Sequence, residues 1–199
     1  MGLNQHRKYR PGIGQDIIEK KISPRYIKIG LLGDEKVGKT WICNSFLNID
    51  VPEDYLFTIG SDKFDKKISL ENGKEIRLVI YDTGGNERFR SSIIKCLKHV
   101  GGLVLVFDVT DRKSFDNLEG WLKIIKENFA NPITILFGNK VDINKEKWAI
   151  TEEEIEGFVK KEGLEYFDVS AKNKIGIVKG FNFLANTIYI KLMKKYIDI

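Results

Sequence analysis

The chain has 199 residues, 42% of them apolar and 31% charged, which suits one α/β domain with short extensions around a single buried core. Net charge is +5, but residues 1–28 hold seven basic and two acidic groups and the remainder is neutral, so the body lacks the basic face of a nucleic-acid binder. No run of about 18 apolar residues suggests a membrane span, no apolar core marks a secretion signal, and Cys43 and Cys96 alone are too few for a disulfide framework or a cysteine zinc site and suit a reducing, cytoplasmic setting.

Residues 1–25 are polar and punctuated by Pro11, Gly12, Gly14 and Pro24. They read as a basic N-terminal extension, with a short helix expected near Gln15–Lys21. Residues 26–199 read as one domain. Tyr26–Leu32 is a buried-strand candidate ending at Gly33, followed by an amphipathic helix from Lys39 to about Asn48. Val51–Asp62 reads as a loop. Lys66–Leu70 and Ile76–Tyr81 read as strands joined at Glu71-Asn72-Gly73, a hairpin signature. Leu103–Phe107 is an apolar strand. Ser114–Asn128 reads as a helix with Ser114 as its N-cap. Ile133–Phe137 is the next strand. Thr151, with Glu154 three residues on, opens a helix through a capping box. Glu165–Val169 is a short strand and Lys179–Tyr196 a long last helix. Strands alternating with helices predict a mostly parallel sheet covered on both faces, with one antiparallel edge strand from the hairpin. Ligand sites in such sheets sit beyond the carboxyl ends of the strands, and every motif below follows a strand.

Gly33-Asp34-Glu35-Lys36-Val37-Gly38-Lys39-Thr40 has the spacing G-x-x-x-x-G-K-[ST]. The glycines let the backbone curl so that successive N–H groups face phosphates, and the following helix aims its positive end at the same anion. Lys39 would bridge the outer phosphates and the Thr40 hydroxyl would ligate Mg²⁺. Trp41 continues this nucleotide-contacting segment.

Asn139-Lys140-Val141-Asp142 follows the Ile133–Phe137 strand. The Asp142 carboxylate can accept two hydrogen bonds from the N1–H and 2-amino group of guanine. Adenine offers no such pair, so Asp142 would choose GTP over ATP. Asn139 would tie the loop to the base, and the Lys140 stem would lie along the ring. Ser170-Ala171-Lys172 follows the Glu165–Val169 strand, with the Ala171 N–H expected to donate to the guanine carbonyl. Asp82-Thr83-Gly84-Gly85 ends another strand. Asp82 would hold Mg²⁺ through water, and the Gly85 N–H would contact the γ-phosphate. Thr58, in Phe57-Thr58-Ile59-Gly60, would meet the metal when that phosphate is present. The two loops would order with GTP and relax on hydrolysis.

Taken together these residues resemble the Ras-like small GTPases, and Rab proteins in particular. The Rab-like strings are Thr58-Ile59-Gly60, Asp82-Thr83-Gly84-Gly85-Asn86-Glu87-Arg88-Phe89-Arg90, Phe107-Asp108-Val109-Thr110-Asp111 with Ser114-Phe115, and Ser170-Ala171-Lys172-Asn173. The resemblance spans about residues 26–196. It implies a six-stranded sheet with about five flanking helices. It also implies a GTP/GDP switch in membrane traffic, and a monomer. Exchange factors, GTPase-activating proteins and effectors would act through residues 51–64 and 82–98.

The departures from that pattern are specific. Asn86 stands where the family places a water-orienting glutamine. It is one methylene shorter, about 1.5 Å of reach, and a displacement of about 1 Å can cost roughly a hundredfold in rate. Glu35 stands where the family has a small residue. It could crowd the γ-phosphate or an incoming arginine, or else turn to water or to Lys36. Slow intrinsic hydrolysis is expected, with Lys39, Thr58, Gly85 and Asn86 as the catalytic set. Val51 replaces the ring that the family packs on guanine, so GDP should leave quickly unless Tyr55 or Phe57 substitutes. The effector-facing aromatic cluster reads Lys63, Tyr81 and Leu97, with one ring left, so standard Rab effectors are not expected to bind.

The sequence ends Lys194-Lys195-Tyr196-Ile197-Asp198-Ile199, without the prenylated cysteines of Rab proteins. Met1-Gly2 opens the chain, but His6 breaks the myristoylation pattern. The basic tail is read as solvated, with peripheral contact to a membrane as the alternative. Cys43 and Cys96 are read as small apolar fillers, and Trp41, Trp121 and Trp148 as packing rings. Two other readings compete. A nucleotide-holding scaffold without turnover would follow from Asn86 and Glu35. A P-loop ATPase or small-molecule kinase is opposed by Asn139, Asp142 and Ser170-Ala171-Lys172.

Overall fold

The computed structural model describes residues 24–49, 60–85 and 90–197. The expected Gln15–Lys21 helix, Val51, Tyr55, Phe57, Thr58 and Asn86 lie outside them. Six strands form one sheet: β1 (Tyr26–Leu32), β2 (Ser61–Ser69), β3 (Glu75–Thr83), β4 (Gly102–Asp108), β5 (Ile133–Asn139) and β6 (Glu165–Val169). Their order is β2-β3-β1-β4-β5-β6. β2 is antiparallel to β3, and every other pairing is parallel. The helices are α1 (Lys39–Leu47), α2 (Arg90–Cys96), α3 (Arg112–Asp116), α4 (Leu118–Asn128), α5 (Glu152–Glu162) and α6 (Ile177–Ile197). α3 runs into α4 through Asn117, whose backbone is itself helical, so among the described residues five α-helical bodies flank the sheet, as the resemblance implied.

The apolar run of β4 buries both of its faces, as a central parallel strand must. Val104 and Val106 face one way, with Ile29, Leu31, Ile135 and Phe137 and with Ile42 and Phe46 of α1 and Phe181, Leu184 and Ile188 of α6. Leu103, Leu105 and Phe107 face the other, with Leu32 and Leu136 and with Ile93, Leu97, Leu118, Trp121, Leu122, Ile125 and Ile155. Phe181 closes the first core: its ring meets Phe46 edge-on at 4.7 Å and Phe137 at 5.6 Å.

The expected elements are present, with instructive shifts. β2 begins at Ser61, inside the stretch read as a loop. Its first half, Ser61–Asp65, is polar except for Phe64 and lacks apolar alternation. It becomes strand because every residue has a partner on β3, from Ser61 opposite Thr83 to Ser69 opposite Glu75. Ser114 is not an N-cap. α3 starts earlier, capped by Asp111, whose carboxylate accepts from Lys113 N. The buried Ser114 hydroxyl instead accepts from Asp108 N at 3.0 Å and donates to the Asp111 carbonyl at 2.8 Å, locking the end of β4. α2 carries no periodic signal, since Ile93 is its one fully buried side chain. The capping box of α5 forms in both directions between Thr151 and Glu154, and Gly163 ends that helix. The strand ends bring Gly33, Gly84, Asp108, Asn139 and Ser170 to one edge of the sheet.

Candidate functional site

The site grows from the turn between β1 and α1. Gly38 caps α1 with φ 96°, and a Cβ there would sit 2.3 Å from Asn139 Nδ2. Only glycine satisfies both demands. Lys39 is buried and donates its ammonium to the carbonyls of Gly33 at 2.9 Å and Asp34 at 2.5 Å. Burial pushes its pKa down to about 8, against the opposing pull of Asp82, Asp34 and Glu35. An ammonium so desolvated is best stabilised by anionic oxygens. Val37 is fully buried and offers the site only its backbone, while Glu35 and Lys36 are exposed. Among the described residues Glu35 has no ion-pair partner, so the Lys36 pairing is not formed.

The Asp34 side chain turns away from the loop it belongs to. Its carboxylate accepts from Asn117 Nδ2 at 2.6 Å and from the Trp121 indole N–H at 2.8 Å. Expected among the ligand contacts, Asp34 would offer its backbone, because these two donors hold its carboxylate toward α4. The peptide after it meets β3: a side chain at Gly85 would begin 2.2 Å from the Asp34 carbonyl carbon. Gly85 is therefore pressed on the loop that holds Lys39.

Thr40 donates its hydroxyl to Asp82 Oδ2 at 2.5 Å. A hydroxyl and a buried carboxylate thus converge between α1 and the end of β3. Oxygen donors of this kind suit Mg²⁺, which takes few protein ligands and completes its shell with phosphate and water. The residues fit that ion. Among the described residues no cluster of three acidic, histidine or cysteine side chains forms a dedicated metal cage.

Beside the loop lies a cavity of about 330 Å³ lined by Lys36, Gly38, Trp41, Asn139, Lys140, Asp142, Ile143, Ala171 and Lys172. Asn139, buried at the end of β5, donates to the Val37 carbonyl at 2.8 Å and accepts from Ala171 N at 3.1 Å. It ties the phosphate loop to the β6 loop. The Ala171 N–H, expected to face a guanine carbonyl, meets the Asn139 amide oxygen at the inner edge of this cavity. Ser170 donates to Asp142 Oδ1 at 2.5 Å and fixes that carboxylate in the wall. Lys140, with φ 71°, pairs its ammonium with the buried Asp108 and leaves its stem along the cavity.

The family model for the Ras family matches residues 28–190. The chain is 35% identical over 165 residues to Ras-related protein Rab-13 of Mesocricetus auratus, covering 82% of this chain and 80% of that protein. It is 38% identical over 186 residues to Ras-related protein Rab-7b of Bos taurus, covering 89% and 90%. Ras-related protein Rab-8 of Diplobatis ommata is 36% identical over 169 residues, covering 84% and 80%. The chain is a Rab-like member of the Ras family.

In this small GTPase the sheet edge brings Gly33 through Trp41, Asp82, Gly85, Asn139, Lys140, Asp142, Ser170, Ala171 and Lys172 together as expected. Three residues of consequence were not singled out for the site from the sequence. Asp108 was visible only within a family string. Asn117 and Trp121 stand four apart on one helix face, the spacing that lets two side chains serve one partner. Trp121 is a packing ring as read, 3% exposed, but also a donor. Trp148 packs half-buried and donates to the Ile143 carbonyl at 3.0 Å. Trp41 departs from the packing reading: it is 36% exposed. The effector-surface reading is corrected at Leu97, which is wholly buried against Gly30, because α2 turns it inward. Lys63 and Tyr81 remain, opposite each other on β2 and β3. Cys43 is buried, as a small apolar filler should be, and burial raises its thiol pKa. Cys96 is partly exposed, 3.2 Å from the Ser61 hydroxyl.

Proposed function

We propose that this Rab-like GTPase binds GTP or GDP with Mg²⁺ and hydrolyses GTP slowly, as a switch in membrane traffic. Asn139 carries the reading. One amide joins the phosphate loop at Val37 to the base-side loop at Ala171, so the phosphate grip and the Asp142 wall form one pocket.

In that pocket Lys39 and the N–H groups of the loop would hold the phosphate oxygens. Asp142, oriented by Ser170, would accept the N1–H and 2-amino protons of guanine, and the Lys140 stem would cover the ring. Thr40 and Asp82 would hold Mg²⁺, which when bound neutralises charge on the phosphates. Thr58 enters as a further metal ligand and Asn86 as the group that orients water, both from the family resemblance. Asn86 reaches short of that task, and the exposed Glu35 adds negative charge at the loop's rim, so hydrolysis is slow.

Regulators and effectors would work through residues 51–64 and 82–98. No described helix is long and apolar enough to cross a membrane. The test is single-turnover hydrolysis of bound GTP with Mg²⁺, comparing the native protein with Asn86→Gln and Glu35→Gly. Slow native turnover sped by either change supports the reading. A native rate equal to that of ordinary Rab proteins, or GTP held without turnover by every version, overturns the hydrolysis it assigns.

A further inference from the structure

α1 is an inverted helix in one respect. From Lys39 to Leu47 its residues are buried or half-buried, except one. That exception is Trp41, its largest apolar side chain, 36% exposed. Ile42, Cys43 and Phe46 fill the core, and even Asn44 and Ser45 are covered. A surface position here would suit any small polar residue. The exposed part of the indole gains nothing from folding, since stabilisation comes from apolar area removed from solvent.

The exposed ring is not on a bare surface. It lines the cavity of about 330 Å³ together with Lys140, Asp142 and Lys172. Among the described residues it is the one aromatic ring in that wall. Asp142, held by Ser170, supplies the polar discrimination, while Lys140 and Lys172 give flexible aliphatic stems. Trp41 gives the wall its rigid apolar surface.

We propose that Trp41 is the residue that packs on the nucleoside and sets how long the nucleotide stays. The ligand class is a purine nucleotide, and the contact is between the indole and the base or ribose. The inference rests on the guanine-nucleotide reading above and adds a residence-time determinant to it. Placement explains why this ring can do so: Thr40, the residue before it, faces Asp82, and Gly38, three before it, touches Asn139. The ring therefore stands at the junction of the phosphate grip and the base wall. A base–aromatic contact of this kind is worth roughly a five- to hundredfold change in affinity.

The experiment measures GDP binding and release for the native protein, Trp41→Phe and Trp41→Ala, with folding checked by thermal unfolding. Tryptophan emission is recorded on adding unlabelled GDP. Trp121 and Trp148, bonded to Asp34 and Ile143, emit in all three proteins, so the Trp41 signal is read as the native change minus that of Trp41→Phe. The expected result is release about tenfold faster or more in Trp41→Ala, a smaller change in Trp41→Phe, and an emission change in the native protein that is diminished in both variants. Native-like release from Trp41→Ala overturns the proposal, and so does an emission change undiminished in Trp41→Phe. A native protein that binds no GDP overturns the guanine-nucleotide reading itself, so the two failures are told apart. If Trp41→Ala does not fold, Trp41→Phe and the native emission change decide the question.

Discussion

Trp121 donates its indole N–H to Asp34 at 2.8 Å, joining α4 to the phosphate loop across 87 positions of sequence. Asn117 holds the other oxygen of the same carboxylate, and the Asp34 carbonyl receives Lys39. The helix therefore fixes the peptide that positions the site's buried cation. Trp121→Phe keeps an apolar ring, deletes the donor and gives up part of the packing. A hydrogen bond to a charged group is worth about 1.5–3 kcal/mol. The variant should fold, lose at least that much stability, and release GDP about tenfold faster, since 1.4 kcal/mol is roughly a factor of ten. Adding Asn117→Ala should give less than additive losses, because both serve one carboxylate. Stopped-flow release and urea unfolding of the single and double variants check this.

Asp142→Asn should change the base that binds. A carboxylate accepts two protons, whereas an amide accepts one and donates one. Xanthine presents an N1–H beside a carbonyl, which matches the amide. GTP affinity should fall at least about a hundredfold, while xanthosine triphosphate becomes the better ligand. Competition titration with both nucleotides checks the reversal. A variant that keeps its preference for GTP removes Asp142 from base recognition.

Chelating Mg²⁺ should speed GDP release from the native protein. In Asp82→Asn the carboxylate that faces Thr40 is neutral, so metal affinity should fall by about 10- to 100-fold. The chelator should then make little further difference. Release rates with and without excess Mg²⁺ distinguish this from a general loosening, which would leave the chelator effect intact.

Phe181→Ala should be costly without touching the nucleotide. The ring is wholly buried between Phe46 and Phe137, and truncating such a phenylalanine costs about 3–5 kcal/mol. Urea unfolding should show that loss. Any rise in GDP release should follow stability rather than precede it.

Legibility varied with the kind of force at each place. β4 and β5 were plain because full burial on both faces demands continuous apolar residues. The phosphate loop and the Asn139 and Ser170 motifs were plain because their backbone and side-chain duties admit few residue types. The first half of β2 was not legible: Ser61–Asp65 has one core-facing residue, Phe64, and is otherwise strand by pairing, which leaves no pattern in one chain segment. α2 was missed because a single buried isoleucine makes no period. In the site, residue identities were readable but their partners were not. The bonds from Asn117 and Trp121 to the Asp34 carboxylate come from another helix. The bond from Ala171 N to Asn139 joins two loops 32 positions apart. Such pairings are set by tertiary packing, which local sequence does not encode.

The Asn139 amide spends its two ends in opposite ways, nitrogen on Val37 and oxygen from Ala171. Aspartate would lose the donor, leucine both functions, serine the length, and glutamine would overrun a space that Gly38 leaves only 2.3 Å from a Cβ. Each of these replacements breaks at least one of the two bonds. A descendant of this chain that lost the amide would keep a phosphate loop and a base wall but no longer a single receptacle for one ligand.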